Sequence, residues 1–188
     1  MANIDLEHNM FNYRIVQDHD LRKLLEEFPF HDVTWNESSR TTDTIYTDPA
    51  KANLILNFAH ALIASKYLAE FQTELTYART WQGKTGDGEN CEFHIDKMCE
   101  IDEFIDIPNR KISNYIALYY HSDLLKSGVT GLEFWNKLTG EKKTIRPQQG
   151  DLVLIDERDV NDHIFHRVIN YDNTELERYV VGFGFIAC

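Results

Sequence analysis

Two histidines, an aspartate and an arginine in the C-terminal half could together perform metal chemistry. His94 and Asp96 are separated by one residue in a predicted strand, so both point to one face and Ile95 to the other. His166, from another predicted strand, would complete a set of two imidazoles and one carboxylate. This set suits non-haem Fe(II) and leaves positions open for a bidentate organic acid and dioxygen. Arg178 follows at a distance that would let it bind the far carboxylate of that acid.

The N-terminal part that precedes these residues is predicted to be mainly helical. Residues 11–16 form a predicted short strand, and Asp18 or Asp20 can cap a helix that ends at Pro29. Residues 31–48 are polar and aperiodic, which predicts a loop that is either a plain connector or a lid. The longest predicted helix starts at Asp48-Pro49 and should bury one face against a sheet. The positions at helical spacing are Leu54, Phe58, Ala61, Leu62, Ser65 and Leu68.

From Leu75 onward the pattern changes to strands. The predicted strands cover residues 75–81, 91–96, 112–120, 131–137, 144–146, 151–156, 165–169 and 178–187. A glycine-rich turn, residues 83–88, is expected between the first two. Helices followed by short strands predict a mainly β fold, a sandwich or barrel with helices packed outside. We expect a single domain over 1–188, with a helical support region at 1–74 and a β core at 75–188.

Composition excludes several classes of function. The chain has 188 residues, a hydrophobic content of 43% and a net charge of −12, as expected of a soluble globular protein. It contains no run of Lys or Arg, so nucleic acid and anionic membrane surfaces are disfavoured partners. Three cysteines without a C-x-x-C pair and an N-terminus without a signal pattern predict a cytoplasmic protein with reduced thiols. The apolar stretch at 54–68 is interrupted by polar residues and is not a predicted membrane span.

Seven short pieces of the C-terminal half carry a resemblance to a known family. They are Thr80-Trp81-Gln82-Gly83, His94-Ile95-Asp96, Ala117-Leu118-Tyr119-Tyr120, Gly131-Leu132-Glu133-Phe134, Pro147-Gln148-Gln149-Gly150-Asp151-Leu152, His166-Arg167-Val168 and Arg178-Tyr179-Val180-Val181. In order and spacing they resemble the double-stranded β-helix core, a cupin-like jelly roll, of the Fe(II)/2-oxoglutarate-dependent dioxygenases. The branch they resemble most is the prolyl-hydroxylase-like one, over a little more than half of the chain.

The resemblance implies that His94, Asp96 and His166 ligate the iron. His163 is a rival for the distal position, because on a continuous strand it would face away from His166 and only one of them can join the set. We choose His166, since His-Arg-Val is the family-like tripeptide and Arg178 follows at a suitable distance. An aspartate at position 96 indicates a hydroxylase, because halogenating relatives carry a small residue there.

The resemblance also implies a set of residues around the cosubstrate. Arg178 would pair with the distal carboxylate of 2-oxoglutarate, and Tyr119 would support it with its hydroxyl. Tyr115, four residues earlier on the same strand face, is a further candidate contact. Trp81 and Val168 would line the pocket. Tyr115, Tyr119 and Trp81 have the alternative of being core residues, and Arg178 that of a surface ion pair with Glu175 or Glu177.

By resemblance, the expected reaction couples decarboxylation of 2-oxoglutarate to hydroxylation of an unactivated C–H bond, with Fe(II) and O2 required and ascorbate an optional reductant. A prolyl or other peptidyl residue is the first candidate substrate, and a free amino acid or small molecule the second. The segment Lys97–Arg110 is acidic and would favour a basic substrate, unless it is only a solvated loop. A non-catalytic cupin-like metal-binding protein is the alternative of another class. The chain is expected to be a monomer or a homodimer.

Overall fold

The computed structural model describes residues 11–28, 48–85, 93–95, 114–121, 130–158, 163–170 and 176–187. In parts of the second and last strands it describes the backbone only. The predicted loop or lid at 31–47, Asp96 and the acidic segment Lys97–Arg110 lie outside these residues. Neither described helix is long and apolar enough to cross a membrane. The single-domain organisation stays a prediction.

The described residues form two helices and eight strands. The helices are α1 (His19–Leu25) and α2 (Pro49–Tyr67). The strands are β1 (Tyr13–Gln17), β2 (Thr73–Thr85), β3 (Tyr115–Tyr120), β4 (Thr130–Asn136), β5 (Lys142–Ile145), β6 (Asp151–Asp156), β7 (Ile164–Asn170) and β8 (Leu176–Ala187). Asp18 caps α1 and Asp48 caps α2, as the sequence predicts.

The strands pair into two antiparallel sheets. The larger sheet has the order β1-β6-β3-β8-β2, and the smaller has the order β5-β4-β7. This confirms the prediction of a mainly β fold with two packed sheets and helices outside them. The strand β2 is longer than predicted, because Gly83–Thr85, expected in a turn, continue the ladder opposite Arg178, Glu177 and Leu176 of β8. The predicted turn at this position is therefore wrong for its first three residues.

Two hydrophobic clusters lie on the two faces of the larger sheet. The helix-side cluster packs α1 and α2 against residues such as Ala117, Leu154 and Phe183. The inter-sheet cluster joins the two sheets through residues such as Leu118, Phe134 and Val180. Every residue of β3 is buried, because both of its faces are covered.

The predicted buried face of α2 is wrong at Leu54, Phe58, Ala61 and Ser65, which are exposed, whereas Leu62 and Leu68 do pack into the helix-side cluster. Leu54 and Phe58 are 57% and 59% exposed. The helix packs instead through Ala52, Ile55, Leu56, Ala59 and Ile63. Apolar residues surround α2, so the spacing of Leu54 and Phe58 alone could not identify its buried side.

Candidate functional site

The structure brings His94 and His166 into direct contact. Their ring centroids are 4.6 Å apart, and the rings are tilted by 59°. Their backbones form an isolated antiparallel bridge, in which each N–H donates to the other residue's carbonyl oxygen at 2.9 Å. This bridge places His94 next to the middle residues of β7. Two predicted site residues that are far apart in sequence thus meet at one point of the fold.

His166 lies on the inter-sheet face of β7. It pairs with Phe134 of β4, a fully buried member of the inter-sheet cluster, and the two ring centroids are 6.2 Å apart. Val168, two residues further along β7, packs against the same cluster. Residues two apart on a strand share a face. The histidine pair is therefore next to the space between the sheets, and Val168 faces the same space; its place beside a cosubstrate stays a prediction.

The rival histidine, His163, occupies a different place. It precedes β7, and its carbonyl oxygen accepts a hydrogen bond from the N–H of Lys137. His163 lines a small cavity together with Ile95 and Glu157. Of the two histidines, His166 is the one whose ring packs against His94.

Phe93 anchors the short segment that carries His94. Its ring centroid is 5.4 Å from that of Trp135 on β4, and the guanidinium of Arg167 lies 4.3 Å from it. Arg167 is held in turn by an ion pair with Glu133 at 2.6 Å. Sequence reasoning missed this anchor. The signal was its place directly before His94, where alternation along an extended chain turns it to the opposite face.

A buried glutamate stands beside the distal histidine. Oε1 of Glu157 is 3.6 Å from Nδ1 of His166, and the two side chains are 4% and 5% exposed. Sequence reasoning missed this residue too. In the fold, Glu157 follows Ile155 by two residues, and Ile155 belongs to the inter-sheet cluster, so strand parity turns Glu157 to the same side.

Tyr119 and Tyr115 do not lie where the resemblance implies. Both belong to the helix-side cluster, on the face of β3 opposite to the space between the sheets. Burial raises the pKa of Tyr119 to about 12, and the nearby Glu26 of the α1 end adds to the effect. Their predicted roles beside a cosubstrate near His166 are therefore wrong.

Tyr120 is the tyrosine of β3 that faces the space between the sheets. It is buried in the inter-sheet cluster with Leu118 and Val180. In the sheet ladder it pairs with Val180 of β8. From the sequence of Leu118-Tyr119-Tyr120, either tyrosine could face the space between the sheets. Only the packing of the helices against one face of β3 shows that it is Tyr120.

The remaining predicted residues are described in part or not at all. Backbone register pairs Trp81 with Val180 and Arg178 with Gly83, so β2 and β8 bring the positions of Trp81 and Arg178 to rungs two apart on one ladder. Their side chains lie outside the description, as does Asp96. Among the residues that the structure describes, no group of three His, Cys, Asp or Glu side chains could hold a metal ion.

Comparison with solved structures identifies the fold. A prolyl hydroxylase from Trichoplax adhaerens, solved with a peptide of the hypoxia inducible factor oxygen degradation domain, has a TM-score of 0.58 and 15% identity, covering 95% of this chain and 84% of that chain. For prolyl 4-hydroxylase from Phytophthora capsici the TM-score is 0.57 at 18% identity, covering 95% of this chain but 59% of that chain. HygX from Streptomyces hygroscopicus, solved with nickel and 2-oxoglutarate, has a TM-score of 0.56 and 13% identity, covering 93% of this chain and 82% of that chain.

These similarities show that the chain has the fold of the prolyl hydroxylases and related 2-oxoglutarate oxygenases. The resemblance seen in the sequence motifs is thus confirmed at the level of fold. No protein-family model matches the sequence, and no curated protein matches it significantly.

Proposed function

We propose that this chain is an Fe(II)- and 2-oxoglutarate-dependent oxygenase that hydroxylates an unactivated C–H bond. The observation that carries the proposal is the contact between His94 and His166 at the inter-sheet face. Two imidazoles that converge there, in a fold shared with a nickel- and 2-oxoglutarate-bound protein, are what such an enzyme requires.

The two imidazoles, whose ring centroids are 4.6 Å apart, would hold the metal ion together. Asp96 is the proposed third ligand, because alternation along the chain assigns it to the same side as His94.

The proposed cosubstrate site lies next to the metal ligands. Arg178 precedes Val180 by two residues on β8, and Val180 belongs to the inter-sheet cluster, so strand parity assigns Arg178 to that side. Its guanidinium would bind the far carboxylate of 2-oxoglutarate in a bidentate manner. Tyr120 replaces Tyr119 as the tyrosine proposed to donate a hydrogen bond to this carboxylate. Trp81 and Val168 are the proposed pocket walls.

The roles of the chain's own groups are to bind, to orient and to exclude water. The two histidines and Asp96 would hold the iron, which with 2-oxoglutarate and dioxygen supplies the oxidising power when bound. Arg178 and Tyr120 would fix the cosubstrate in one orientation. Leu118, Phe134 and Val180 make the surrounding inter-sheet face apolar, which keeps bulk water from the reacting atoms.

The proposed substrate is a prolyl or other peptidyl residue. The prolyl-hydroxylase structures that share the fold support this choice, and one of them was solved with a peptide. A small-molecule substrate is the second candidate, because HygX shares the fold to a similar degree and was solved with hygromycin B. The acidic segment Lys97–Arg110 would favour a basic partner in either case.

Succinate release in the presence of Fe(II), 2-oxoglutarate and O2 tests the proposal, with proline-containing peptides and small amines as candidate substrates. We expect iron-dependent succinate formation that at least one candidate stimulates. Arg178→Ala should raise the apparent KM for 2-oxoglutarate by about 10-fold or more, because the variant loses a charged hydrogen bond to the cosubstrate. Arg22→Ala is the matched control, because this arginine is half exposed on α1, where it pairs with Glu26 away from the inter-sheet face. Absence of turnover, or equal effects of both substitutions, would contradict the proposal.

A further inference from the structure

We propose that Glu157 is a positioning residue that keeps the proton of the neutral His166 ring on Nδ1, so that Nε2 offers its lone pair to the metal. The inference rests on the proposed function, because it takes His166 as a metal ligand. It concerns a residue outside the motifs that resemble the oxygenase family.

The fold holds Glu157 at this point. It directly follows β6, and its N–H donates to the carbonyl oxygen of Asn114 at 3.0 Å. The preceding residue, Asp156, is turned to the other side, where it forms an ion pair with Arg158. The side chain of Glu157 is 4% exposed. The fold therefore places this buried side chain beside His166.

The position of the carboxylate selects between the two tautomers of the imidazole. At 3.6 Å, the Glu157–His166 contact is longer than a hydrogen bond, but it is close enough for the charge of the carboxylate to act on the ring. A negative charge near Nδ1 favours the tautomer whose proton is on that nitrogen. The other nitrogen is then unprotonated, which is the state that a metal-binding histidine needs.

The tautomer is measured directly by nitrogen-15 NMR of histidine-labelled, metal-free protein at mildly alkaline pH. We expect the His166 ring to carry its proton on Nδ1 in the native protein. In Glu157→Leu the Nε2–H tautomer should become the major form. Asp156→Asn is the matched control, because it removes the neighbouring carboxylate that faces away, and it should leave the tautomer unchanged.

Metal binding gives a second readout, by calorimetric titration with Mn(II) in the absence of 2-oxoglutarate. Loss of a carboxylate that orients a ligating histidine typically weakens metal affinity by about 10- to 100-fold. We expect a loss of this size for Glu157→Leu, a smaller one for Glu157→Gln, which keeps the shape and an acceptor oxygen, and none for Asp156→Asn. Thermal unfolding of the metal-free variants shows whether each one folds, and Glu157→Gln serves if the leucine variant does not.

The outcomes separate this inference from the proposed function. A native protein with the proton of His166 on Nε2, or a folded Glu157 variant with native tautomer and metal affinity, would overturn the role of Glu157 alone. A native protein that binds no metal through His166 would overturn the proposed function, whatever the tautomer.

Discussion

Replacing Asp18 with alanine should destabilise the protein by about 3 kcal/mol, because this side chain ties both helices together. Its carboxylate accepts hydrogen bonds from the N–H groups of Asp20 and Leu21 in the first turn of α1. It also accepts from the Tyr67 hydroxyl at 2.6 Å and from Nζ of Lys66 at 3.0 Å, both near the end of α2. The Asp18 side chain is only 4% exposed.

The magnitude follows from these contacts. Losing the N-cap costs about 1 kcal/mol. Leaving the half-buried Tyr67 hydroxyl without its charged acceptor adds about 1.5–3 kcal/mol. The contact with Lys66 adds little, because that side chain is 36% exposed and a screened ion pair contributes at most about 1 kcal/mol. For a chain of this length, a loss of about 3 kcal/mol lowers the melting temperature by about 6–12 °C.

Thermal and urea unfolding, followed by circular dichroism, measure the effect. The matched control is Asp20→Ala, which removes a neighbouring carboxylate that is 69% exposed and pairs with Lys66 at 2.7 Å. It should cost about 0.5 kcal/mol or less. If Asp18→Ala is no more destabilising than Asp20→Ala, the role assigned to the buried carboxylate is wrong.

The same carboxylate predicts a pH dependence. Burial raises the pKa of Asp18, but hydrogen bonds from the Leu21 N–H, Tyr67 and Lys66 outweigh it, and the net pKa lies below its ordinary value. A carboxyl whose pKa is lower in the folded state stabilises above its unfolded pKa of about 3.9, and the contribution is lost as the pH falls through the folded value. Asp18→Asn keeps the cap without the charge, so the amount by which this variant is less stable than the native protein should shrink below about pH 4. A stability difference that grows below pH 4 would refute the role assigned to the charge of Asp18.

Three further predictions concern single residues. Tyr120→Phe should raise the apparent KM for 2-oxoglutarate by about 10-fold, and Tyr119→Phe should leave it unchanged. The reverse result would assign the contact with 2-oxoglutarate to Tyr119, as the sequence motifs imply. Ile55→Ala should cost about 2–4 kcal/mol in urea unfolding and Leu54→Ala about 0.5 kcal/mol, and equal costs would refute the assigned face of α2. Burial lowers the pKa of His60, so the free energy of unfolding should decrease as the pH is lowered below about 6.5. In His60→Phe this decrease should be smaller, and an equally steep decrease in the variant would show that His60 is not its source.

The sequence predicts most of the elements because local signals mark their ends. Gly150 precedes β6 with a φ of +88°, a conformation that suits glycine, and the strand Asp151–Asp156 has the predicted bounds. The Asp48-Pro49 pair likewise marks the start of α2. The proximity of His94 and His166 was predictable because the motifs that contain them occur in the order that resembles the oxygenase family.

The predictions from sequence fail where both faces of a strand or helix are equally apolar. In β3 the alternating sets Tyr115-Ala117-Tyr119 and Ile116-Leu118-Tyr120 are both buried, so sequence pattern could not show which faces the second sheet. The face of α2 was ambiguous for the same physical reason. Glu157 was missed because its partner lies on another strand, and only the folded chain brings them together.

The central claim, that His94 and His166 belong to one metal site, is tested most directly by titrating the metal-free protein with Mn(II) in a calorimeter. We expect one equivalent to bind to the native protein and to His163→Ala, and binding to be lost in His166→Ala. Loss of binding in His163→Ala together with native binding in His166→Ala would contradict the account and assign the site to the other histidine.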